Sequence, residues 1–531
     1  MRQSAAALFL CLIVAPGSVS TSEQSAPAAA QSPAGFTDPQ RRAKLASAFG
    51  EVDRLFAEFI TRNHVPGAAW GIVIDGELAH SGAAGFRDVA AKAPVEANRT
   101  VFRIASMTKS FTAMAILKLR DEGKLSLDEP AEKYVPEMKG LRYPTSDSPR
   151  ITIRHLMSHG EGFPEDNAWA DRHLHDTHDA FAKRLIDGVP FSNAPGLAYE
   201  YSNLGFAILG RIITKASGRP YNEYMQANIF APLRMTSTTL EPRSVPRDRL
   251  AQGYRWEDGQ WTLEDQLPDG AFGAMGGLLT SIPDLARYVG VLLGAWPPRD
   301  GPEAGPISRA SLREMQQIAR TAPSLVTKNA AGALQLTSGG YGYGLRVSQT
   351  CDFAHSVAHG GGLPGFGSIM RWLPDYGVGI ITFGNLTYTG WGGVVSTAFD
   401  QLSASGGLQP RAVTPAPALL EARDAVSRLV NGWDDGVIDR LAADNFFLDA
   451  SRDRRKAELL SLQAKVGRCE PGSGFDYLEN ALRGEWTLRC ERGAVRSWIT
   501  LAPTMPPRLQ VLNLRAVEPG AAPSRRPTCP Q

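Results

Sequence analysis

Two hairpin signals, lying far apart in the sequence, constrain the fold of this chain more than any other feature. Ala68 to His80 reads as two strands joined at Asp75-Gly76, residues that accept the positive φ angles of a two-residue hairpin turn. Ser368 to Leu373 and Val378 to Phe383 flank Pro374-Asp375-Tyr376-Gly377 and form the second hairpin. Apolar periodicity predicts a helix from Arg41 to Arg62 ahead of the first and a closing helix from Trp391 to Leu402 behind the second. Strands at both ends thus enclose a mostly helical middle.

The 531 residues leave room for more than that. Ala404 to Pro417 contains Ser405-Gly406-Gly407 with Pro410, Pro415 and Pro417, so residues 404–418 read as a linker. Beyond it Leu419 to Val430 is helical, Thr487 to Leu501 alternates around Arg492-Gly493 as a hairpin, and Arg508 to Leu514 adds a strand. Residues 419–518 therefore read as a small α+β accessory domain, and the Pro-rich 519–531 as a disordered tail. At the other end Arg2 precedes an apolar run from Ala5 to Ala15 and a Pro16-Gly17 break, the pattern of a secretory signal peptide over 1–20. Cys11 lacks the small residues before it that a lipoprotein signal would need. Residues 21–40, rich in Ala, Ser, Pro and Gln, read as a flexible lead-in. A periplasmic or secreted location follows, with no stable membrane insertion, because the run is shorter than the roughly 20 residues that span a bilayer.

Export makes disulfides available to Cys351, Cys469, Cys490 and Cys529. Three pairings are formally open. Cys469 and Cys490 share the late module, and that bridge is expected. A net charge of +2, with 56 basic against 54 acidic residues, gives no field to hold nucleic acid or an anionic membrane. A small-molecule or peptide substrate is the expected partner, and nothing bears on oligomeric state.

Chemistry enters at Ser106-Met107-Thr108-Lys109, which opens an apolar segment running to Leu119 with Gly123 as the stop. Residues three apart share a helix face, so the Ser106 hydroxyl lies beside the Lys109 amine at a helix N-terminus. Taken alone, Ser-x-x-Lys also describes an ordinary helix start with a solvated lysine. The surrounding string Phe102-Arg103-Ile104-Ala105-Ser106-Met107-Thr108-Lys109-Ser110-Phe111 resembles the active-site segment of class C beta-lactamases, D-alanyl-D-alanine carboxypeptidases and related family VIII-type esterases. Tyr201-Ser202-Asn203 resembles the Tyr-x-Asn element of that family, and His359-Gly360-Gly361 its Lys-Thr-Gly strand. All three occur in the family's order, and the resemblance covers roughly residues 45 to 403.

The resemblance implies an antiparallel sheet of N- and C-terminal strands, flanked by helices and carrying a mostly helical insertion, over 41–403. It implies Ser106 as the acylated nucleophile, with Lys109 and Tyr201 as the proton-transfer pair. A phenol beside a lysine ammonium can ionise below its ordinary value of about 10, which makes Tyr201 the expected general base. Asn203, His359 and Gly361 are the expected substrate-binding residues, and the amides of Ser106 and Gly362 the expected oxyanion hole. Tyr341 to Leu345 and Gly384 to Gly393 are expected to shape the acyl pocket. No cofactor and no metal are implied. His359 stands where the family has lysine, and a largely neutral imidazole weakens recognition of a substrate carboxylate. Small esters and D-amino-acid-containing amides are therefore expected ahead of beta-lactams or free C-terminal acids.

Two rivals belong to other classes. His173, His175 and His178, with Asp171 and Asp176, could hold zinc, although a solvated loop is the favoured reading. A catalytically silent binding protein on the same fold is the other, and it fits poorly with an intact Ser106, Lys109 and Tyr201. The 419–518 module shows no catalytic constellation and only loosely resembles NTF2-like accessory domains.

Overall fold

Asp75 and Gly76 take φ angles of 53° and 89° and turn the strand Gly67–Ile74 back into Glu77–Asp88. The first of these strands is buried along its whole length. Alternation sends its side chains into two separate cores: Ala69 and Val73 join one cluster, while Ala68, Trp70, Ile72 and Ile74 join another. A strand covered on both faces needs no polar alternation. Its other edge pairs antiparallel with Val378–Gly384, from Ala68 opposite Gly384 to Ile74 opposite Val378, and this joins the two distant hairpins.

The computed structural model describes residues 33–303, 305–328, 334–472, 474–518 and 520, and they belong to one compact unit. Among the described residues the main sheet has nine strands. Edge to edge they are Ala93–Pro94, Glu77–Asp88, Gly67–Ile74, Val378–Gly384, Phe366–Leu373, Ser356–Leu363, Arg346–Gln349, Leu334–Tyr341 and Arg320–Lys328. Helices Phe49–Arg62 and Gly392–Ala404 supply the smaller core. Helices Thr108–Asp121, Asn203–Ser217 and Ile282–Leu293 supply the larger. The fold is the mixed α/β, beta-lactamase-like arrangement that the resemblance implies, with a small C-terminal β domain behind it.

Several local expectations change. The first helix is two helices, Arg41–Ala46 and Phe49–Arg62. Between them the Ser47 hydroxyl donates to the Lys44 carbonyl at 2.7 Å, a local bond that competes with helix continuation. The lead-in is not free throughout: Gly35 pairs with Ala412 in both directions, and the Arg41 guanidinium lies 3.6 Å from the centre of the Phe36 ring. The same pairing lays part of the 404–418 stretch against the catalytic domain, where Leu408 is buried and Arg411 donates to the Pro374 carbonyl. The expected signal peptide 1–20, residues 21–32 of the expected lead-in, and residues 519 and 521–531 of the expected tail lie outside the described residues.

The three strands from Arg320 to Gln349 were not legible as strands. Leu325, Val326, Leu334 and Leu336 are exposed, so the outer hairpin lacks the alternation that a half-buried strand shows. Behind the main domain, Pro417–Val430, Asp435–Leu441 and Arg452–Val466 pack on a four-stranded sheet with a core of their own. Cys469 and Cys490 form a disulfide there, 21 residues apart in sequence. No helix among the described residues is long and apolar enough to cross a membrane.

Candidate active site

Ser106 sits in a 3-10 turn, Ala105–Met107, that runs directly into the helix Thr108–Asp121. Ala105 holds a φ of 50°, a conformation that costs a residue with a Cβ and persists only where its surroundings fix it. Three bonds do so here. The Thr108 hydroxyl donates to the Ala105 carbonyl at 2.7 Å and accepts from the Leu278 amide at 3.1 Å. The Ser368 hydroxyl donates to the Ile104 carbonyl at 2.8 Å.

Lys109 is fully buried. Its Nζ lies 3.1 Å from Ser106 Oγ, 2.5 Å from Asn203 Oδ1 and 2.9 Å from the Met275 carbonyl oxygen. Burial drives the amine down to about 7, opposed by the charges of Asp171 and then Asp166. A neutral amine has two N–H groups and one lone pair. The two acceptor-only oxygens, of Asn203 and Met275, take the N–H groups, and the lone pair is left toward the Ser106 hydroxyl.

Tyr201 precedes the helix Asn203–Ser217, whose start is doubly secured. Ser202 caps it by accepting from the Gly205 amide, and the Asp166 carboxylate accepts from the Asn203 and Leu204 amides at 2.6 and 2.9 Å. The Tyr201 ring centre lies 4.9 Å from Lys109 Nζ and 4.2 Å from the His159 ring centre. Burial raises its phenol, which a hydrogen bond with Ser106 only partly offsets. Lys109 and Tyr201, the expected proton-transfer pair, thus both stand beside Ser106.

The third element lies on Ser356–Leu363. Its pairing with Arg346–Gln349 stops at Ala358, which leaves the edge from His359 onward free of a strand neighbour and facing the cleft. A Cβ on Gly361 would come within 2.2 Å of the Ile104 carbonyl, and one on Gly362 within 2.7 Å of the Tyr388 ring. Glycine is what lets the strand lie against the Ser106 turn. His359 is buried and pushed down to about 3, chiefly by that burial and then by Lys109 and Arg346. Its Nδ1 faces the Gly360 carbonyl at 2.6 Å, so the neutral ring donates there and accepts from the Tyr341 hydroxyl at Nε2, 2.7 Å away.

Ser106, Tyr201, His359, Gly361 and Gly362 thus line one cleft of about 410 Å³, with Lys109 buried against Ser106 and Asn203 against Lys109. Sequence reasoning missed four other residues of the cleft or its wall: Asp171, Arg346, Asn167 and His159. Tyr341 and Tyr388 fell in segments already expected to shape the pocket. Asn167 Oδ1 accepts from Asn203 Nδ2 at 3.0 Å, and the buried His159 accepts from the Ser202 backbone amide at 3.1 Å. A glycine-flanked histidine, Ser158-His159-Gly160, was the available signal for the last. The histidine cluster does not assemble: His173 pairs with Asp176 at 3.1 Å and packs on Trp169, while Asp171 turns into the cleft. Among the described residues no group of three candidate ligands could hold a metal.

Residues 52–404 match the family described as Beta-lactamase. The chain belongs to the beta-lactamase family. Within that family it is 29% identical over 346 residues to Protein flp of Staphylococcus aureus strain N315, covering 63% of each chain. It is 32% identical over 252 residues to Beta-lactamase-like protein 2 of Dictyostelium discoideum, covering 46% of this chain and 45% of that one. The chain thus spans less than two thirds of the length of these relatives. The octameric penicillin-binding protein homologue from Pyrococcus abyssi superposes with a TM-score of 0.57 at 23% identity, over 88% of this chain and 98% of that one. Members of the beta-lactamase family are generally serine hydrolases, and the cleft carries the serine and the amine that such chemistry needs.

Proposed function

We propose that this protein is an exported serine hydrolase that cleaves a small ester or D-amino-acid-containing amide through an acyl-enzyme on Ser106. The observation that carries this reading is the buried amine of Lys109 at 3.1 Å from Ser106 Oγ, held near neutrality by burial. Ser106 Oγ attacks the substrate carbonyl while its proton passes to Lys109 Nζ. The Ser106 and Gly362 amides take the oxyanion. Collapse breaks the bond to the leaving group, which receives a proton from Lys109 by way of the Tyr201 hydroxyl. Water then attacks the acyl carbonyl, gives its proton back along the same pair, and frees Ser106. Export rests on the sequence pattern around Arg2 and Ala5 to Ala15.

Arg346 favours a second reading, D,D-carboxypeptidase or beta-lactamase activity. It lines the same cleft, its guanidinium 5.9 Å from the centre of the Tyr201 ring. A permanent cation there offsets the lysine that His359 replaces.

The test compares the mature protein with Ser106→Ala on p-nitrophenyl acetate, a D-alanine amide and nitrocefin, following turnover and acyl-adduct mass together. Hydrolysis by the wild type alone establishes the serine mechanism and ranks ester, peptide and lactam. Equal background from both forms moves the reading to a silent binding protein.

A further inference from the structure

Asp171 is the acid of this cleft that the proposed reaction leaves without a role. It lines the cleft with Ser106, yet it is only 2% exposed. Its Oδ2 accepts from the Tyr388 hydroxyl at 3.1 Å. Its buried Oδ1 has no hydrogen-bond partner among the described residues. Lys109 feels its charge but directs its own contacts to Ser106, Asn203 and Met275. Burying a carboxylate with no cation in direct contact is costly. The positive charge of Lys109 acts on it more strongly than the negative charges of Asp166 and Glu165 do.

Position adds to this. The Tyr388 ring stands against Gly362, whereas Arg346 pairs with Ala358 at the other end of the strand edge. Four strand residues separate the two, about 13 Å. Asp171 and Tyr388 thus stand at the Gly362 end of the strand edge, in the same cleft that Ser106 and Arg346 line.

We propose that Asp171, held by Tyr388, is the subsite for a protonated primary amine on the substrate. The proposal rests on the serine hydrolase reading and narrows its substrate class to amino esters and amino amides with a free ammonium. An ammonium supplies a charge-assisted donor for the unpartnered Oδ1. An acylated amine supplies one neutral N–H and no charge.

The test measures kcat/KM of the whole protein and of Asp171→Asn on D-alanine p-nitroanilide and N-acetyl-D-alanine p-nitroanilide, with p-nitrophenyl acetate reporting Ser106 chemistry. The wild type is expected to favour the free amine by about ten- to a hundredfold, and Asp171→Asn to bring that ratio close to one. Equal use of both anilides by the wild type, or a preference for the acetylated one, overturns the proposal. So does a fall by the same factor on both in Asp171→Asn, the mark of a structural acid. Calorimetric titration of Ser106→Ala with D-alaninamide and N-acetyl-D-alaninamide reads the same preference without turnover. Tighter binding of the free amine supports the subsite even if the hydrolase reading fails, and equal binding rejects it even if that reading stands.

Discussion

Lys109 meets three oxygens with its three directions, and its protonation decides which of them is a base contact. Burial sets that balance at about 7, so turnover of p-nitrophenyl acetate is expected to rise as pH passes upward through that region and the amine loses its proton. Asp171, itself pushed up to about 7 by burial, titrates in the same window, and the observed limb belongs to the pair. Since the Asp171 charge is the largest influence holding Lys109 up, Asp171→Asn should move the acidic limb to lower pH. A limb that stays in place in a pH–rate profile would count against Lys109 as the proton acceptor. Glu161 poses a different residue-scale question. It is fully buried, and burial holds its carboxyl well above the ordinary range. With a folded pKa above the unfolded one, the stability tied to its proton is complete below about pH 4 and is lost as pH rises. Glu161→Gln should therefore melt higher than the wild type at pH 8 and much closer to it at pH 5. Melting curves at the two pH values check this.

At the scale of elements, the active site is a contact between a turn and a strand edge. The Ile104 carbonyl binds Ser368 on one side and would meet any Cβ placed on Gly361. Backbone cannot give way as a flexible side chain can. Gly361→Ala is expected to lower stability by about 1–3 kcal/mol and turnover by two orders of magnitude or more, read by denaturant unfolding and by steady-state rates. Elements also mark how far the sequence was legible. The spacing of Ser106 and Lys109 lies within one helical turn, and the Asp75-Gly76 hairpin within two residues, so local periodicity exposes both. The strand that carries Arg346 has four residues and no pattern of its own, and only its neighbours in the sheet make it a strand. Asp171 follows a four-residue helix and read as a companion of His173 because the two are close in sequence.

For the whole molecule, the C-terminal β domain keeps its own core around Trp486 and Val495. The Cys469–Cys490 disulfide closes a loop of 21 residues within it. A loop of that size restricts the unfolded chain by about 3 kcal/mol. Cys469→Ser together with Cys490→Ser should lower the stability of this domain by that order, followed by the fluorescence of the buried Trp486. A difference well under 1 kcal/mol would mean that the core suffices alone.

The sequence by itself determined the hairpins, the helix that carries Ser106 and Lys109, and the order of the three motifs, because each depends on residues within a few positions of one another. The tertiary structure alone decided that the Lys109 amine is fully buried against Ser106 and Asn203. It also decided that Arg346 and Asp171 line one cleft with Ser106. Proton affinity and the pairing of charges depend on what is buried beside a group, and burial here is made by strands and helices that are hundreds of residues apart in the chain.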